Sequence, residues 1–208
     1  MNPYKRYVLP KIIDIACSTD AVMSARAKIV PQALGEVLEI GIGSGLNLEF
    51  YDRQKVATIV AVDPAAQMQT VARRRADAIG IPVEIMAVDV QGIHAATDRF
   101  DTIVMTFTLC SINEPIPALQ EMMRVLKPAG RLLFCEHGLA PDAPVARWQQ
   151  RLTPWWKPLA GGCHLNRDIP ALIEAAGFSI EELRAEYLSA PRALTYIYSG
   201  SARPSCQN

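Results

Sequence analysis

The residues of this chain whose types and spacing could do chemistry are three glycines, three carboxylates and two histidines. Glu39-Ile-Gly41-Ile-Gly43-Ser-Gly45 follows directly on the apolar residues Val37 and Leu38. Glycine lets a chain turn sharply and lets a ligand approach the main chain closely. Asp63 closes the apolar run from Ala57 to Val62, 18 residues beyond Gly45, and Asp89 closes the run from Val83 to Val88. A glycine loop leaving one strand, with a carboxylate at the end of the next, suits a nucleotide-like ligand whose ribose hydroxyls the carboxylate accepts. Asp63 would serve equally well as the N-cap of a helix over 65–78. His137 follows the apolar run ending at Cys135, and His164 stands in Gly161-Gly-Cys-His-Leu-Asn-Arg-Asp168.

The loop spacing narrows the ligand. A dinucleotide fingerprint needs Gly-x-Gly-x-x-Gly, and its third glycine would fall on Leu46. A P-loop needs a terminal Gly-Lys-Ser/Thr, which this loop lacks. Glu39, two residues before the first glycine, suits a ligand carrying an ammonium or hydroxyl group and is an awkward neighbour for pyrophosphate. Residues 46–51 are expected to open a helix whose free N–H groups face the ligand.

The elements that must position these groups read as one α/β domain of 208 residues, long enough to bury a full core. Lys plus Arg and Asp plus Glu both number 21, so net charge gives no general reason to expect nucleic acid. Five scattered cysteines and no signal-peptide pattern point to reduced thiols in a cytoplasm. No apolar run reaches the roughly 18 residues a membrane span requires. Helical spacing over 8–16 and 21–29, with Asp20 as N-cap and Pro31 as terminator, predicts a helical lid on the sheet edge. Lys5, Arg6 and Lys11 beside Tyr4 and Tyr7 read as a solvated helix start. Arg73, Arg74 and Arg75 read as a solvated helix face. Strands are expected at 57–62, 83–88, 100–106 and 131–135, with a helix over 117–126 and a turn at Lys127-Pro-Ala-Gly130. Gly177 ends a helix over 169–176. Residues 179–188 and 193–201 form a last antiparallel pair, and a loose tail begins at Arg203.

Glu39-x-Gly41-x-Gly43-x-Gly45 resembles the first motif of the class I S-adenosylmethionine-dependent methyltransferases, (Asp/Glu)-x-Gly-x-Gly-x-Gly. Phe100-Asp-Thr-Ile-Val-Met-Thr106 and Lys127-Pro-Ala-Gly130 resemble later motifs of that family. The resemblance covers roughly residues 34–200. It implies a Rossmann-like, seven-stranded sheet with helices on both faces and an N-terminal helical lid. The expected division is a lid over 1–33, a cofactor-binding core over 34–138, an acceptor-side insertion over 139–168, and a C-terminal helix and strand pair over 169–208. S-adenosylmethionine is the implied cofactor and S-adenosylhomocysteine its product. Asp89 would face the adenine amino group with Val90 against the ring. Met68 is a candidate for the other adenine face or for plain core. Thr106 and Leu109 would contact the methionine part.

Within the superfamily, Asn47 with Phe50-Tyr51, Glu136-His137 and Gly-Gly-Cys-His-Leu-Asn-Arg look like the small enzymes related to mammalian alkyl thiol methyltransferases. Those carry an N-terminal hydrophobic anchor, which is not seen here, so membrane residence is not expected to carry over. The implied acceptor is a small apolar molecule or thiol, with no nucleic-acid partner. Phosphatidylethanolamine and quinone precursors are the competing substrates. A dinucleotide-dependent reductase and a non-catalytic S-adenosylmethionine-binding protein are the readings from other classes. Glu136 and His137 would face the acceptor. A thiol reacts as its thiolate, and His137 is the first candidate for the base that forms it, with His164 and Asp89 behind it. Cys110 and His164 would lie near the acceptor. Trp155 and Trp156 either wall an apolar acceptor pocket or pack against the lid.

Overall fold

The computed structural model describes Tyr4 and residues 8–205. Lys5, Arg6 and Tyr7 therefore lie outside the described residues, as does the tail from Cys206. Seven strands form one sheet: β1 (Gly35–Ile40), β2 (Val56–Val62), β3 (Val83–Met86), β4 (Phe100–Thr106), β5 (Leu126–His137), β6 (Phe178–Tyr187) and β7 (Tyr196–Pro204). Their order is β3-β2-β1-β4-β5-β7-β6. The first five pair in parallel, and β7 runs antiparallel to both β5 and β6. The expected Rossmann-like sheet is present, with its final antiparallel pair.

The central strands are apolar on both faces because helices cover both. Side chains alternate across a strand, so the even residues of β1 and β2 and the odd residues of β4 point one way. Leu38, Ile40, Val60, Val62, Ile103 and Met105 join Leu119 and Met122 of α4 (Pro115–Val125) and Ile173 of α6 (Ile169–Ala175). Val37, Ile59, Ala61, Val104 and Leu133 join Ala25 and Ile29 of α2 (Asp20–Ile29) and Ala72 of α3 (Gln69–Ile79). No helix among the described residues is long and apolar enough to cross a membrane.

Several expectations are corrected. The glycine loop does not open an α-helix: only one 3-10 turn, Leu48–Phe50, follows it. Asp20 is the first residue of α2 rather than its N-cap; Thr19 stands there without a side-chain bond. The lid consists of α1 (Leu9–Cys17) and α2, and α2 packs on β5 and β7, which are interior strands, not on an edge. Lys127 to Gly130 fall inside β5, where a register shift lets four residues bulge between the partners of Phe100 and Thr102. β7 continues through Arg203 to Pro204 because Ser179 and Phe178 pair with it. The tryptophan-rich segment is one helix, α5 (Ala143–Leu159), anchored by Gln149. That side chain accepts from Ala140 N and donates to Gly138 O, 2.8 and 3.0 Å away.

The entry to β1 hangs on a buried threonine. Thr102 Oγ1 accepts from Leu34 N at 3.1 Å and donates to Leu34 O at 2.9 Å. Thr102→Val keeps the shape and strands both backbone groups, which costs about 1–3 kcal/mol. Urea denaturation is expected to show a lower midpoint with an unchanged slope; an unchanged midpoint would contradict this role of Thr102.

Candidate functional site

A cleft of about 1330 Å³ opens over the carboxyl ends of β1, β2 and β4, the place where open α/β sheets bind ligands. Its floor carries Ile40, Val62 and Thr106. Gly41, Gly43, Ser44, Asp63, Met68, Asp89 and Val90 line it on the side of β1 to β3. Leu9, Ile13 and Cys17 of α1, Pro154 and Lys157 of α5, and His164 line it on the other side.

The glycine loop is shaped for close approach. Gly43 has φ +54°, and nothing lies within 4 Å of the point where a Cβ would stand. Gly41 has φ +72°, and a Cβ there would collide with Thr108. Asp63 holds the loop: its Oδ2 accepts from Gly43 N at 2.8 Å and its Oδ1 from Ala65 N at 2.7 Å. The N-cap reading of Asp63 is corrected: α3 begins at Gln69 with Met68 as its N-cap, and Asp63 instead turns the chain just after β2 and lines the cleft. Burial pushes its carboxyl above the ordinary value, although the Ala65 and Gly43 N–H groups pull it back. Asp89 turns its backbone by accepting from Gly92 N at 2.9 Å. Ser44 donates to Asp14 of α1 and accepts from Arg75 at 2.9 Å, so the lid and α3 both clasp the loop. Arg75 therefore serves the loop instead of a solvated face, and Arg73 bonds Ile85 O at 3.2 Å.

Glu39 does not reach the cleft. It is 1 % exposed and lies beneath the loop, on the face covered by α2 and α3. Tyr51 OH donates to its Oε2 at 2.9 Å and Asn47 Nδ2 to its Oε1 at 3.1 Å. Asn47 Oδ1 accepts from Arg26 Nη1 at 2.8 Å, and the same guanidinium donates to Thr106 Oγ1 at 2.5 Å. Burial pushes the Glu39 carboxyl up to about 7, against the pull of Tyr51, Asn47 and Arg26. Gly45 is also absent from the lining; a Cβ there would meet Leu48 and Ala72, so it serves packing on α3.

At the end of β4 the chain turns abruptly. Phe107 takes φ +53°, a strained region for an aromatic residue. The following loop is held by Glu136, which is fully buried and accepts from Thr108 N at 2.9 Å and Cys110 N at 3.4 Å. Burial raises the Glu136 carboxyl to about 7 while these N–H groups lower it. Glu136 thus binds backbone and does not face an acceptor. Leu109 is fully buried in the core and Cys110 sits behind the loop; neither lines the cleft. His137 does not line it either. Its Nδ1 lies 4.0 Å from Cys163 Sγ, and its Nε2 is buried without a partner. Trp155 is 76 % exposed and turned outward, and Trp156 is half-buried behind the cleft. The wall that α5 presents is Thr153, Pro154, Lys157 and Pro158.

His164 is the histidine on the cleft. Its Nδ1 lies 3.1 Å from Cys110 O. A carbonyl only accepts, so Nδ1 carries the hydrogen and neutral His164 has Nε2 free to take a proton. Burial and then Arg167 push its pKa below the ordinary 6.5.

The sequence reading missed Arg26. It is 5 % exposed, lines the cleft, stacks 4.9 Å from the Phe107 ring centroid, and keeps its Nε buried and unpaired. The signal was an arginine between Ala25 and Ile29 on the apolar stripe of α2. These groups fit S-adenosylmethionine in kind. Gly43 is open to a ligand, and Asp63 and Asp89 supply acceptors for hydroxyl and amino groups. Met68 and Val90 supply apolar contact, and Arg26 supplies a cation for a carboxylate.

Residues 38–134 match the family described as a methyltransferase domain. The chain is 36% identical over 159 residues to thiol S-methyltransferase TMT1B of Rattus norvegicus, covering 74% of this chain and 64% of that relative. It is 33% identical over 184 residues to the Homo sapiens protein of the same name, covering 85% and 75%. The chain thus spans about two thirds to three quarters of these relatives' lengths. Its fold is similar to that of 1,6-didemethyltoxoflavin-N1-methyltransferase from Burkholderia thailandensis, solved with S-adenosylhomocysteine. The TM-score is 0.67 at 18% identity, over 95% of this chain and 84% of that one.

The buried carboxylate makes a signed prediction. The folded state holds the Glu39 proton to about pH 7, whereas an ordinary glutamate releases it near 4.5. Its stabilising neutral form is complete below 4.5 and lost as pH rises through 7. Glu39→Gln removes this titration while leaving Glu136 in place. The melting temperature of the variant minus that of the wild type should therefore grow from pH 5 to pH 8. A difference independent of pH would contradict it.

Proposed function

The chain belongs to the class I S-adenosylmethionine-dependent methyltransferases, and on that premise we propose that it methylates the sulfur of a small thiol. The observation that carries this reading is the composition of the cleft. Nucleotide-binding groups occupy one side, a neutral histidine stands on the other, and the chain's relatives include proteins named thiol S-methyltransferases. When bound, S-adenosylmethionine supplies a methyl group already activated on a sulfonium. The chain's own residues then need to align an acceptor, keep water out and remove one proton.

Gly41, Gly43, Asp63, Asp89 and Arg26 hold the cofactor in this reading. Leu9 and Ile13 from α1 and Pro154 and Pro158 from α5 give the acceptor an apolar wall. His164 Nε2 takes the thiol proton, because the thiolate is the nucleophile. The Cys110 carbonyl fixes the tautomer, and burial together with Arg167 keeps the ring neutral at ambient pH. His164 thus takes the role that the sequence assigned first to His137.

The test is S-adenosylhomocysteine formation with a panel of alkyl and aryl thiols, an amine, a quinol and phosphatidylethanolamine. Thiols are expected to give product at rates well above the others; product from the lipid or quinol alone would overturn the substrate assignment. For the best thiol, kcat/KM should fall on the acid side only below pH 6.5, the ordinary histidine value that His164 undercuts. His164→Gln should remove that limb and lower kcat/KM about 100-fold. A limb retained at full rate in the variant would exclude His164 as the base.

A further inference from the structure

The loop between α5 and α6 folds back across the loop after β4. His164 N donates to Cys110 O at 2.8 Å, Arg167 donates to Leu109 O, and the Gly162 Cα faces Ser111 O. These contacts set Cys163, the neighbour of His164 in the chain, against the loop that carries Cys110, and each thiol shifts the other's titration. His137 Nδ1 approaches the Cys163 sulfur to 4.0 Å. The Trp156 indole N–H is buried without a hydrogen-bond partner and lies near enough to bias the same sulfur toward its thiolate. One sulfur thus gathers Cys110, His137 and Trp156, while His137 keeps a second buried nitrogen unpaired. The mechanism above uses none of these side chains.

We propose that Cys163 and Cys110 form a hydroperoxide-reactive pair, Cys163 attacking and Cys110 resolving, that closes into a disulfide behind the cleft wall. In the first step the Cys163 thiolate attacks the peroxide. An S–O bond forms, the O–O bond breaks, the sulfur loses two electrons, and the alcohol or water leaves with the proton. In the second step the Cys110 sulfur attacks the Cys163 sulfenic acid. An S–S bond forms, the S–O bond breaks, and the hydroxide departs with the Cys110 proton as water. The sum is two thiols and one hydroperoxide giving one disulfide, water and an alcohol, or a second water when the oxidant is hydrogen peroxide.

The electrostatics distinguish the two roles. Cys110, His137 and Trp156 lower the Cys163 thiol to about 5 against its burial. The neighbouring Cys163 and burial hold the Cys110 thiol well above its ordinary value. Cys163 is the partly accessible member and Cys110 the buried one. The other charged or titratable groups facing the pair are Cys17 from α1, Glu136 from β5, and His164 and Arg167 from the same loop. Thr108, Ser111, Gly162 and His164 all line the cleft. A disulfide between the two loops would pin that wall together.

The experiment uses the full reduced chain with hydrogen peroxide, blocking of remaining thiols, and peptide mapping without reductant. A Cys110–Cys163 linked peptide is expected, with Cys17, Cys135 and Cys206 recovered blocked. Before oxidation, iodoacetamide at pH 6.5 should label Cys163 at least about tenfold faster than Cys17, whose thiol burial raises. Cys110→Ser should accumulate a dimedone adduct on Cys163, and Cys163→Ser should leave Cys110 unreacted. Linkage of another pair, no linkage, or Cys163 labelling no faster than Cys17 in the wild type would overturn the proposal. None of these readouts requires methyl transfer.

Discussion

A carboxylate buried under the glycine loop is the constraint on which the rest of the site depends. A buried carboxyl must either be protonated or find partners, because desolvation disfavours the bare charge. Glu39 meets this with Tyr51 and Asn47, and Asn47 passes the demand on to Arg26 and Thr106. Five residues from β1, the segment after the loop, β4 and α2 are thereby tied into one network. The glycine loop rides on it. The lid helix α2 is held to the sheet by the same bonds, which place the Arg26 guanidinium on the cleft wall beside Phe107.

Glu136 repeats the device at the other end. It lies at the end of β5, is fully buried, and spends its oxygens on backbone N–H groups of the loop that follows β4. That loop starts from the strained Phe107 and carries the Cys110 carbonyl that orients His164. One buried carboxylate thus supports the cofactor side and another supports the acceptor side, and neither needs to touch a ligand. Burial raises both to about 7, so the protein is built around two groups that titrate close to neutrality.

The strand pattern was legible in the sequence because parallel strands covered on both faces are short apolar runs closed by a polar residue. β2, β4 and the positions of Asp63 and Asp89 follow from that rule. Glycine spacing located the loop, since positive φ at Gly41 and Gly43 leaves few alternatives. What could not be read was the direction in which side chains turn at strand ends. Glu39 and Gly45 match the motif but face inward, and at the end of β5 Glu136 holds backbone while His137 approaches Cys163 away from the cleft. Periodicity does not reveal which face of an irregular insertion meets the cleft. Trp155 therefore turned out exposed, while the smaller Thr153, Pro154 and Pro158 form the wall. Arg26 was hidden because one charge on an apolar helical stripe carries no motif.

The proposed function places the transferred methyl group on sulfur. Its most direct test offers the chain one acceptor bearing both a thiol and an amine, 2-mercaptoethylamine, together with S-adenosylmethionine carrying a trideuterated methyl group. The product's fragmentation spectrum then shows which atom received the label. The deuterated methyl is expected on sulfur alone, with one S-adenosylhomocysteine formed per thioether. Label on nitrogen, or no transfer to this or a more apolar thiol from a cofactor shown to bind, would contradict it.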